Sequence, residues 1–466
     1  MPINNLHDFI ALLESNGELT RVPVSVDPVL EIAAITDQVC KKPAGGIALL
    51  FEHPVESEYA VAANLFGSAK RVCLALGVSD LNELTKRLRA LLDLIPGYEI
   101  KNLDQQLATL HEFSRFAPHV ASNSDPDLIP MIPPDLTHFP FLQSWPGDGS
   151  AEGHPRYITL PQVITADPYG GTPNCGVYRV QLRGEREAAI QWKAGSGAAR
   201  HAGQHHRAGK AMPVAIVLGG DPATLFSAMF PLPGDLDELT FAGFLRGAPL
   251  ATAPCQSIPL RVPSGAEVVI EGYVHPGETV TEGPFGNHTG FYSAAAPAAL
   301  LRITAIRLRS DAIIPATVVG RPPMEDCWMA LAWERLLLAF LQKELPTIKD
   351  IHFPAEWVFH QSAIISLENP RAGMVRNISR RLWDLPWFAS SRILVFVTAE
   401  AKPAGLSHAA WKFINVTNLG NDIHHDEATG RCAVDATGCH TPRQEVINSP
   451  DSLNLVAGRW KEYGIE

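Results

Sequence analysis

A chain of 466 residues with a formal charge of −11 is long enough for two or three domains, and its acidity argues against nucleic acid as its main partner. Apolar residues make up 46% and charged residues 19% of the sequence, which is typical of a soluble protein with large cores. No apolar run of about 18 residues is present, so we predict no membrane-spanning helix, and the first residues lack a signal-peptide pattern. Seven scattered cysteines indicate reduced thiols and a cytoplasmic protein.

Residues 1–110 are predicted to form an N-terminal α/β domain. Four apolar residues recur at helical spacing and predict its first helix: Leu6, Phe9, Ile10 and Leu13. Asp27, followed by Pro28, is a good N-cap and predicts that a second helix begins there. Residues 96–150 are rich in Pro and polar side chains, so we expect an extended connection that lies over the surface.

Residues 111–322 are predicted to form a central β domain. From about 155 to 320 many short apolar segments alternate with turn residues, a pattern typical of a barrel-like or sandwich domain. One clear helix, LDELTFAGFLRG, interrupts these strands. Strands and helices alternate in the last part of the chain, so residues 323–466 are predicted to form a C-terminal α/β domain.

Residues 281–290 read TEGPFGNHTG, and their glycines and proline predict a tight turn. Glu282 precedes the turn, and Asn287 and His288 follow it. Taken alone, the segment is interpreted more readily as a structural turn than as an active site, because Glu and Asn are common near turns. Arg179 lies in a predicted strand, where it is either a surface residue or a bidentate clamp for a carboxylate.

Two segments contain several possible metal ligands. His201 and His205 are four residues apart and would share a face of a helix; His201 is a candidate ligand, whereas His205 is interpreted as a solvated residue. A later segment, HHDEATGRCAVDATGCH, holds five further candidates: His424, His425, Cys432, Cys439 and His440. Its spacing matches no zinc motif built from short Cys pairs, so the sequence favours no zinc site there.

Several segments, in this order and at these spacings, strongly resemble the UbiD-type decarboxylase family, which uses prenylated flavin mononucleotide (prenylated FMN). They are TLPQVITADP with GTPNCGVYRVQ, LPGDLDELTFAGFLRG, EGYVHPGETVTEGPFGNHTG and IIPATVVGRPPMED. The resemblance covers nearly the whole chain and is greatest to the branch that acts on menaquinone-type aromatic acids. It implies an N-terminal α/β segment, a central split β-barrel that binds the flavin, and a C-terminal α/β domain used for oligomerisation.

The resemblance also implies the cofactors and the residues that hold them. A divalent ion, Mn²⁺ or Mg²⁺, binds the flavin phosphate with K⁺ nearby, and its ligands correspond to Asn174, His201 and Glu238. Such a mixed oxygen and nitrogen set suits these hard ions. The positions that contact the flavin in the family correspond to Gly176, Val177, Tyr178, Arg179, Met229, Phe230, Pro231 and Arg431. Arg431 stands where relatives often carry Lys, and it corresponds to a contact with the phosphate.

The implied chemistry explains why a cofactor is needed. Removal of CO₂ from an aromatic carbon leaves a carbanion that no side chain stabilises, so a cofactor acts as the electron sink. The family uses an Arg, a Glu and a second acid, which correspond to Arg179, Glu282 and Asn287. The amide of Asn287 is a departure, because it cannot serve as a general acid, a role worth about 10²–10⁴ in rate.

Several explanations of this departure remain open. Glu282 itself carries the proton, or His288 contributes. Alternatively, Asn287 marks another substrate class, a heteroaromatic acid whose ring N–H or ring oxygen bonds the amide, and this explanation is favoured. A further alternative is that Asn287 was introduced by mutation in place of an Asp.

The leading hypothesis is a cytoplasmic enzyme for the reversible, non-oxidative decarboxylation of an aromatic or heteroaromatic acid. A flavin prenyltransferase would supply the cofactor, and the chain would assemble into a homodimer or homohexamer. The alternatives are a flavin oxidoreductase on a split barrel and a catalytically disabled flavin-binding protein.

Overall fold

The computed structural model describes residues 3–121, 125–399, 405–440, 443 and 445–464. The chain forms a small α/β unit, a large curled sheet and a second α/β unit, which confirms the predicted fold class. None of the described helices is long and apolar enough to cross a membrane.

The N-terminal unit packs helices against a four-stranded sheet. Its elements are α1 (Leu6–Ser15), β1 (Leu19–Val26), α2 (Glu31–Cys40), β2 (Ala48–Pro54), β3 (Ala60–Ala63), α3 (Ala69–Leu76) and α4 (Asn82–Asp93). The apolar stripe predicted for the first helix is confirmed, because all four of its residues are buried in α1. The predicted start of the second helix is wrong. Asp27 forms a turn instead, with its Oδ1 accepting from Val29 N at 2.7 Å, and α2 begins at Glu31.

The connection to the central unit is not the surface segment that the sequence predicts. It contains α5 (Leu103–Thr109), α6 (His111–Ser114), β4 (His119–Val120) and β5 (Ile129–Met131). Phe139, Phe141 and Leu142 are each 1% exposed. The ring of Phe139 stacks on Tyr59 at 5.3 Å, so this stretch fills the space between the first unit and the curled sheet. The apolar side chains between the prolines outweigh the local turn signals.

The central unit is built on a nine-stranded sheet. Its elements are β6 (Tyr157–Ile158), β7 (Gln162–Thr165), β8 (Asn174–Val177), β9 (Val180–Leu182), β10 (Glu187–Ile190), α7 (Gly197–Ala208), β11 (Met212–Gly219), α8 (Pro222–Met229), α9 (Glu238–Arg246), β12 (Ala251–Pro254), β13 (Arg261–Pro263), β14 (Ala266–Glu282), β15 (Phe285–Gly286), β16 (Tyr292–Ser293), β17 (Ala296–Leu308) and β18 (Ile313–Ala316). The strand order is β6-β9-β10-β17-β14-β11-β7-β8, with β5 on β17, whereas β18 joins the first sheet beside β3.

Three helices interrupt the central strands, not the single one that the sequence suggests. Helix α9 is the predicted one, and α7 and α8 are additional. The buried face of α7 consists of Ala198, His201 and His205, and α8 is buried on nearly every side. Neither helix shows an apolar stripe against a polar face, which is the pattern that reveals a helix in a sequence.

The C-terminal unit is a five-stranded sheet with flanking helices. Its elements are α10 (Glu325–Glu344), β19 (Ile348–His352), β20 (Ser362–Leu367), α11 (Met374–Trp383), β21 (Ile393–Thr398), α12 (Leu406–Val416), β22 (Ile423–Asp426), β23 (Arg431–Asp435) and α13 (Pro450–Gly458). The strand order is β19-β20-β21-β23-β22, and β20, β21 and β23 run parallel. The predicted domain boundaries at residues 110 and 322 stay predictions.

Candidate active site

The centre of the candidate site is an ion pair between Arg179 and Glu282. Arg179 lies between β8 and β9, and Glu282 is the last residue of the long strand β14. Arg179 Nε donates to Glu282 Oε1 at 2.8 Å and Nη2 donates to Oε2 at 2.6 Å. Glu282 is fully buried, whereas 19% of the Arg179 side chain is exposed. This bidentate geometry offsets much of the cost of burying the carboxylate and fixes both side chains.

Aromatic and hydroxyl groups hold the guanidinium from its other side. Arg179 Nη1 donates to Ser293 Oγ at 3.1 Å, and the guanidinium carbon lies 4.8 Å from the centre of the Phe285 ring. The ring of Tyr157 contacts Phe285 at 4.7 Å. Burial, together with the nearby charge of Glu282, raises the pKa of the Tyr157 hydroxyl well above its usual range, so this group stays protonated.

The loop 281–290 is tied to a buried acid that the sequence analysis missed. Asp148 Oδ1 accepts from Gly286 N at 2.8 Å, and its Oδ2 accepts from Trp145 N at 2.9 Å. Burial raises the pKa of the Asp148 carboxyl. A Cβ on Gly286 would collide with the indole of Trp145, so only Gly fits where these segments touch.

The side-chain oxygen of Asn287 is used in a turn. Its Oδ1 accepts from the backbone N–H of Thr289 at 2.9 Å and from the Thr289 hydroxyl at 2.5 Å. A backbone N–H is always a donor, so the oxygen of the amide must face Thr289. Asn287 Nδ2 makes no hydrogen bond within the described part of the chain, and it is therefore the group left to meet a ligand.

His288 connects the loop to the C-terminal unit. Its Nε2 lies 3.3 Å from Nε2 of His360, and its ring is 5.9 Å from that of Phe359. Burial lowers the pKa of both histidines, that of His360 to about 4, so both are neutral at pH 7. The second α/β unit thus closes directly over the candidate catalytic loop.

The three predicted metal ligands are brought to one place around strand β8. Asn174 begins β8 and pairs across the sheet with Thr165. Thr165 Oγ1 lies 3.0 Å from His201 Nδ1, which leaves His201 Nε2 as the nitrogen for a metal ion. A Cβ on Gly197 would collide with Asn174 Oδ1, which therefore lies against the first turn of α7. His205 on the same helix is buried, with its Nε2 3.1 Å from Ala166 O, so its interpretation as a solvated residue is wrong.

Glu238 completes the set from the start of α9. Its Oε2 accepts from Cys175 N, beside Asn174, at 3.0 Å. Burial raises the pKa of Glu238 to about 8, and Asn174 Nδ2 is a buried donor without a hydrogen-bond partner in the described residues. Burial also lowers the pKa of His201, so its imidazole is neutral. The side-chain oxygens of Asn174 and Glu238 and the neutral imidazole of His201 fit a divalent ion such as Mn²⁺.

Most of the remaining residues that the resemblance assigns to the flavin lie on or next to β8 and at the end of α8. A Cβ at Gly176 would meet the ring of Tyr178, which packs edge-on against Trp192 at 5.5 Å. Val177 follows Gly176 at the end of β8, and Met229 ends α8.

Two of these residues already have partners from the C-terminal unit. The ring of Phe230 stacks on Phe340 at 6.3 Å, and Pro231 O accepts from Trp387 Nε1 at 2.7 Å. Arg431 lies apart, on β23, and its Nη2 donates to Ala389 O at 2.7 Å. The side chain of Phe230 is thus used in packing, and the assignment of Arg431 to a phosphate stays a prediction.

Comparison with known protein families identifies the family of this chain. Residues 125–322 match the Rift-related domain of the 3-octaprenyl-4-hydroxybenzoate carboxy-lyase (UbiD) family. Residues 10–91 match the N-terminal domain of that family, and residues 327–444 match its C-terminal domain. The chain belongs to the UbiD family of carboxy-lyases, which are decarboxylases, as its resemblance implied. An uncharacterized protein of Archaeoglobus fulgidus is 36% identical over 91% of this chain and 86% of its own length. One of Aquifex aeolicus is 35% identical over 99% of both chains.

Solved structures share the fold. The UbiD-class enzyme HmfF of Pelotomaculum thermopropionicum in complex with FMN is 25% identical, with a TM-score of 0.79 over 97% of this chain and 99% of that one. An evolved dimeric form of HmfF in complex with prenylated FMN gives a TM-score of 0.82 at 24% identity, over 97% and 99% of the two chains. Vanillic acid decarboxylase of Sedimentibacter hydroxybenzoicus in its closed form gives 0.83 at 24% identity, over 99% of each chain.

Proposed function

We propose that this chain catalyses the reversible, non-oxidative decarboxylation of an aromatic or heteroaromatic carboxylic acid with prenylated FMN, and that Arg179 and Glu282 form its catalytic pair. The observation that carries the proposal is the buried bidentate ion pair at the foot of the loop 281–290. Membership of a carboxy-lyase family supports the reaction class, and the flavin complexes of proteins with the same fold support the cofactor.

Arg179 is proposed to bind the carboxylate that leaves as CO₂. A guanidinium has five N–H donors, of which Glu282 and Ser293 take three. One donor remains on each terminal nitrogen, Nη1 and Nη2, and this edge suits the two oxygens of a carboxylate. Because the ion pair fixes the guanidinium, little side-chain entropy is lost when the substrate binds.

Glu282 is proposed to move the proton. Both of its oxygens are already held by Arg179, so the carboxylate is oriented before the substrate arrives. When bound, prenylated FMN supplies the electron sink for the electron pair that the departing CO₂ leaves behind. Once CO₂ has left, Glu282 would take a proton from solvent, releasing one of its oxygens from Arg179, and deliver that proton to the ring carbon, which is the role that the amide of Asn287 cannot fill.

Asn287 is proposed to select the substrate through its free N–H₂ group. Its oxygen is occupied by Thr289, so the side chain offers a donor and no acceptor. A ring oxygen or another acceptor atom of the substrate satisfies it, whereas a ring N–H does not. The structure therefore favours a furan-type or oxygen-substituted acid over a pyrrole-type acid.

The chain is also proposed to form a homodimer or homohexamer through its C-terminal unit. Helix α13 buries none of its residues within the chain. Apolar side chains are exposed on α13, just after it and on α12: Trp411 (46%), Ile414 (76%), Leu453 (54%), Leu455 (58%) and Trp460 (48%). Large apolar side chains exposed in this number are typical of surfaces that another subunit covers.

Anaerobic reconstitution with prenylated FMN and Mn²⁺, followed by a screen for CO₂ release, tests the function. We expect CO₂ from at least one acid in a panel of furan, pyrrole, hydroxybenzoic and naphthoic acids, and incorporation of labelled CO₂ into that acid under high CO₂ pressure. Consumption of NAD(P)H without CO₂ would favour a flavin oxidoreductase. Normal flavin and metal contents with no turnover of any acid would favour a disabled binding protein.

Replacement of His201 by Ala is expected to lower both the Mn²⁺ and the flavin content of the purified protein by at least about 10-fold. The imidazole is a proposed ligand of the ion that would hold the flavin phosphate, and Mn²⁺ and K⁺ together would neutralise that phosphate. Metal analysis and the flavin absorbance give the two contents. The matched control is His206→Ala, on the same helix but exposed, which should change neither. Unchanged Mn²⁺ and flavin in His201→Ala would remove His201 from the metal site.

A further inference from the structure

Three side chains with the chemistry of metal ligands meet at the end of β23, in the C-terminal unit. Asp435 is the last residue of the strand, and Cys439 and His440 follow it after a turn at Gly438. One ligand atom from each of the three lies within 4.8 Å of the others. The Asp435 carboxylate is held in place, because its Oδ1 accepts from Thr437 N at 3.0 Å. Its Oδ2 lies 3.6 Å from Cys439 Sγ.

A second buried carboxylate reaches the same cluster from the loop before β22. Asp422 is only 3% exposed, and its Oδ2 accepts from Asn418 N at 2.8 Å. Its Oδ1 has no hydrogen-bond donor among the described residues, and it lies 3.2 Å from Nδ1 of His440. A buried carboxylate oxygen without a donor is costly, so this atom favours a positive charge on or beside the His440 ring, which a bound metal ion would provide.

His424, on β22, adds another unsatisfied atom at the edge of the cluster. Its Nε2 is buried without a hydrogen-bond partner in the described part of the chain. His424 pairs with Ala433 across β22 and β23, two residues after Asp422 and opposite a residue two before Asp435. A nitrogen in this position is suited to a further ligand or to a hydrogen bond with a bound water.

The spacing of these atoms fits a tetrahedral ion. Zinc binds oxygen and nitrogen at about 2.0–2.2 Å and sulfur at about 2.3 Å, so its ligand atoms lie roughly 3.3–3.6 Å apart. The oxygen–nitrogen distance between Asp422 and His440 is 3.2 Å. The oxygen–sulfur distance between Asp435 and Cys439 is 3.6 Å. The distance between Asp435 and Cys439 agrees with two ligands of one ion, and the distance between Asp422 and His440 is that of a carboxylate beside the ring of a metal-bound histidine.

We propose that Asp435, Cys439 and His440 bind a Zn²⁺ ion in the C-terminal unit, with Asp422 as the carboxylate beside the His440 ring, separate from the metal proposed at Asn174. A thiolate and an imidazole select a borderline-soft ion, whereas the oxygen-rich set at Asn174 suits Mn²⁺. On binding, Cys439 Sγ–H loses its proton to solvent and the thiolate forms the bond to zinc, without any redox change.

A zinc ion here would hold the residues that follow β23 against the sheet. It would link the loop before β22, the end of β23 and the residues that lead to α13. Helix α13 has no buried residues of its own, so its attachment depends on such connections or on another subunit. The site is independent of the proposed decarboxylation, because it takes no part in the chemistry at Arg179.

Zinc binding by the full-length protein, freed of any histidine tag and stripped with a chelator, tests the proposal. With Mn²⁺ present to fill the other site, we expect one Zn²⁺ per chain that competes with a chromogenic chelator. With Co²⁺ in place of Zn²⁺, we expect a thiolate-to-cobalt charge-transfer band. Cys439→Ser should abolish the band, and Asp422→Asn should weaken zinc binding by at least about 10-fold.

The matched control is Cys432→Ser, in the same strand β23 but outside the cluster, which should keep both the zinc and the cobalt band. The cobalt spectrum of the unaltered protein is informative even if a variant does not fold. Absence of the band, or one tightly bound zinc retained by Cys439→Ser, would overturn the proposal. Either result would leave the proposed decarboxylation untouched, since CO₂ release is measured separately.

Discussion

Replacement of Glu282 by Gln is expected to lower kcat/KM for decarboxylation by about 10²- to 10⁴-fold, the usual worth of a positioned acid or base. Gln has almost the same shape as Glu, so the loop 281–290 should keep its conformation. The change removes the negative charge that orients Arg179 and the oxygen that is proposed to carry the proton. Initial rates of CO₂ release, divided by the content of prenylated FMN in each preparation, give the comparison.

The chain offers a matched control for this change on the same strand. Glu271 is also buried in β14, and its Oε1 lies 3.2 Å from Nη2 of Arg307, well outside the candidate site. Glu271→Gln should lower the melting temperature without a comparable loss of kcat/KM, because removing one partner of a buried pair destabilises the fold. Full activity in Glu282→Gln would contradict the catalytic assignment. An equal loss in both variants would mean that the effect is one of stability.

Local patterns in the sequence reveal the elements that bury one regular face. The apolar stripe of α1, from Leu6 to Leu13, needs no tertiary information, because its period alone points to a helix. Helix α7 has no such stripe: its buried face includes His201 and His205, and its first turn lies against Asn174 at Gly197. That contact joins residues from different elements, so it cannot be read from either segment alone.

The same limit applies to the candidate site. The resemblance to a known family is what singles out Arg179 and Glu282, and the structure brings them together although 103 residues separate them. Asp148 escaped notice because it lies in a stretch dominated by turn residues, and Tyr157 because its strand does not reveal its contact with the loop; burial and that contact give both residues their roles. His360 comes from another structural unit altogether, and no local pattern predicts its approach to His288.

The candidate zinc cluster illustrates a different difficulty. Short Cys pairs are the signal that sequence reasoning uses for zinc, and Cys439 has no such partner. Its two carboxylates, the proposed ligand Asp435 and the neighbouring Asp422, are common residues in turns and attract no attention by themselves. The antiparallel pairing of β22 with β23 brings them together. Clusters that depend on strand pairing therefore become visible only in three dimensions.

Replacement of Asn287 by Asp is expected to change the order of substrates. The new carboxylate keeps the acceptor for Thr289 but loses the N–H₂ donor, so an acid that places an oxygen against residue 287 should lose about 10- to 100-fold in kcat/KM. This corresponds to the ~1–3 kcal/mol cost of an unpaired polar group. Acids without such an oxygen should gain, because a second acid then stands beside Glu282. Values of kcat/KM across the acid panel, at equal cofactor content, provide the measurement.

The pattern of change distinguishes a substrate-selecting amide from a missing acid. A selecting amide predicts opposite effects on oxygen-bearing and oxygen-free acids, and an accompanying change in KM for the former. A missing general acid predicts the same gain in kcat for every acid, and that uniform rescue would refute the role proposed for Asn287. Asn16→Asp, which adds the same charge at an exposed position after α1, should leave all rates unchanged. The bond to Thr289 leaves only the N–H₂ group of Asn287 free to meet the substrate. The informative quantity is therefore the preference among substrates and not the overall rate.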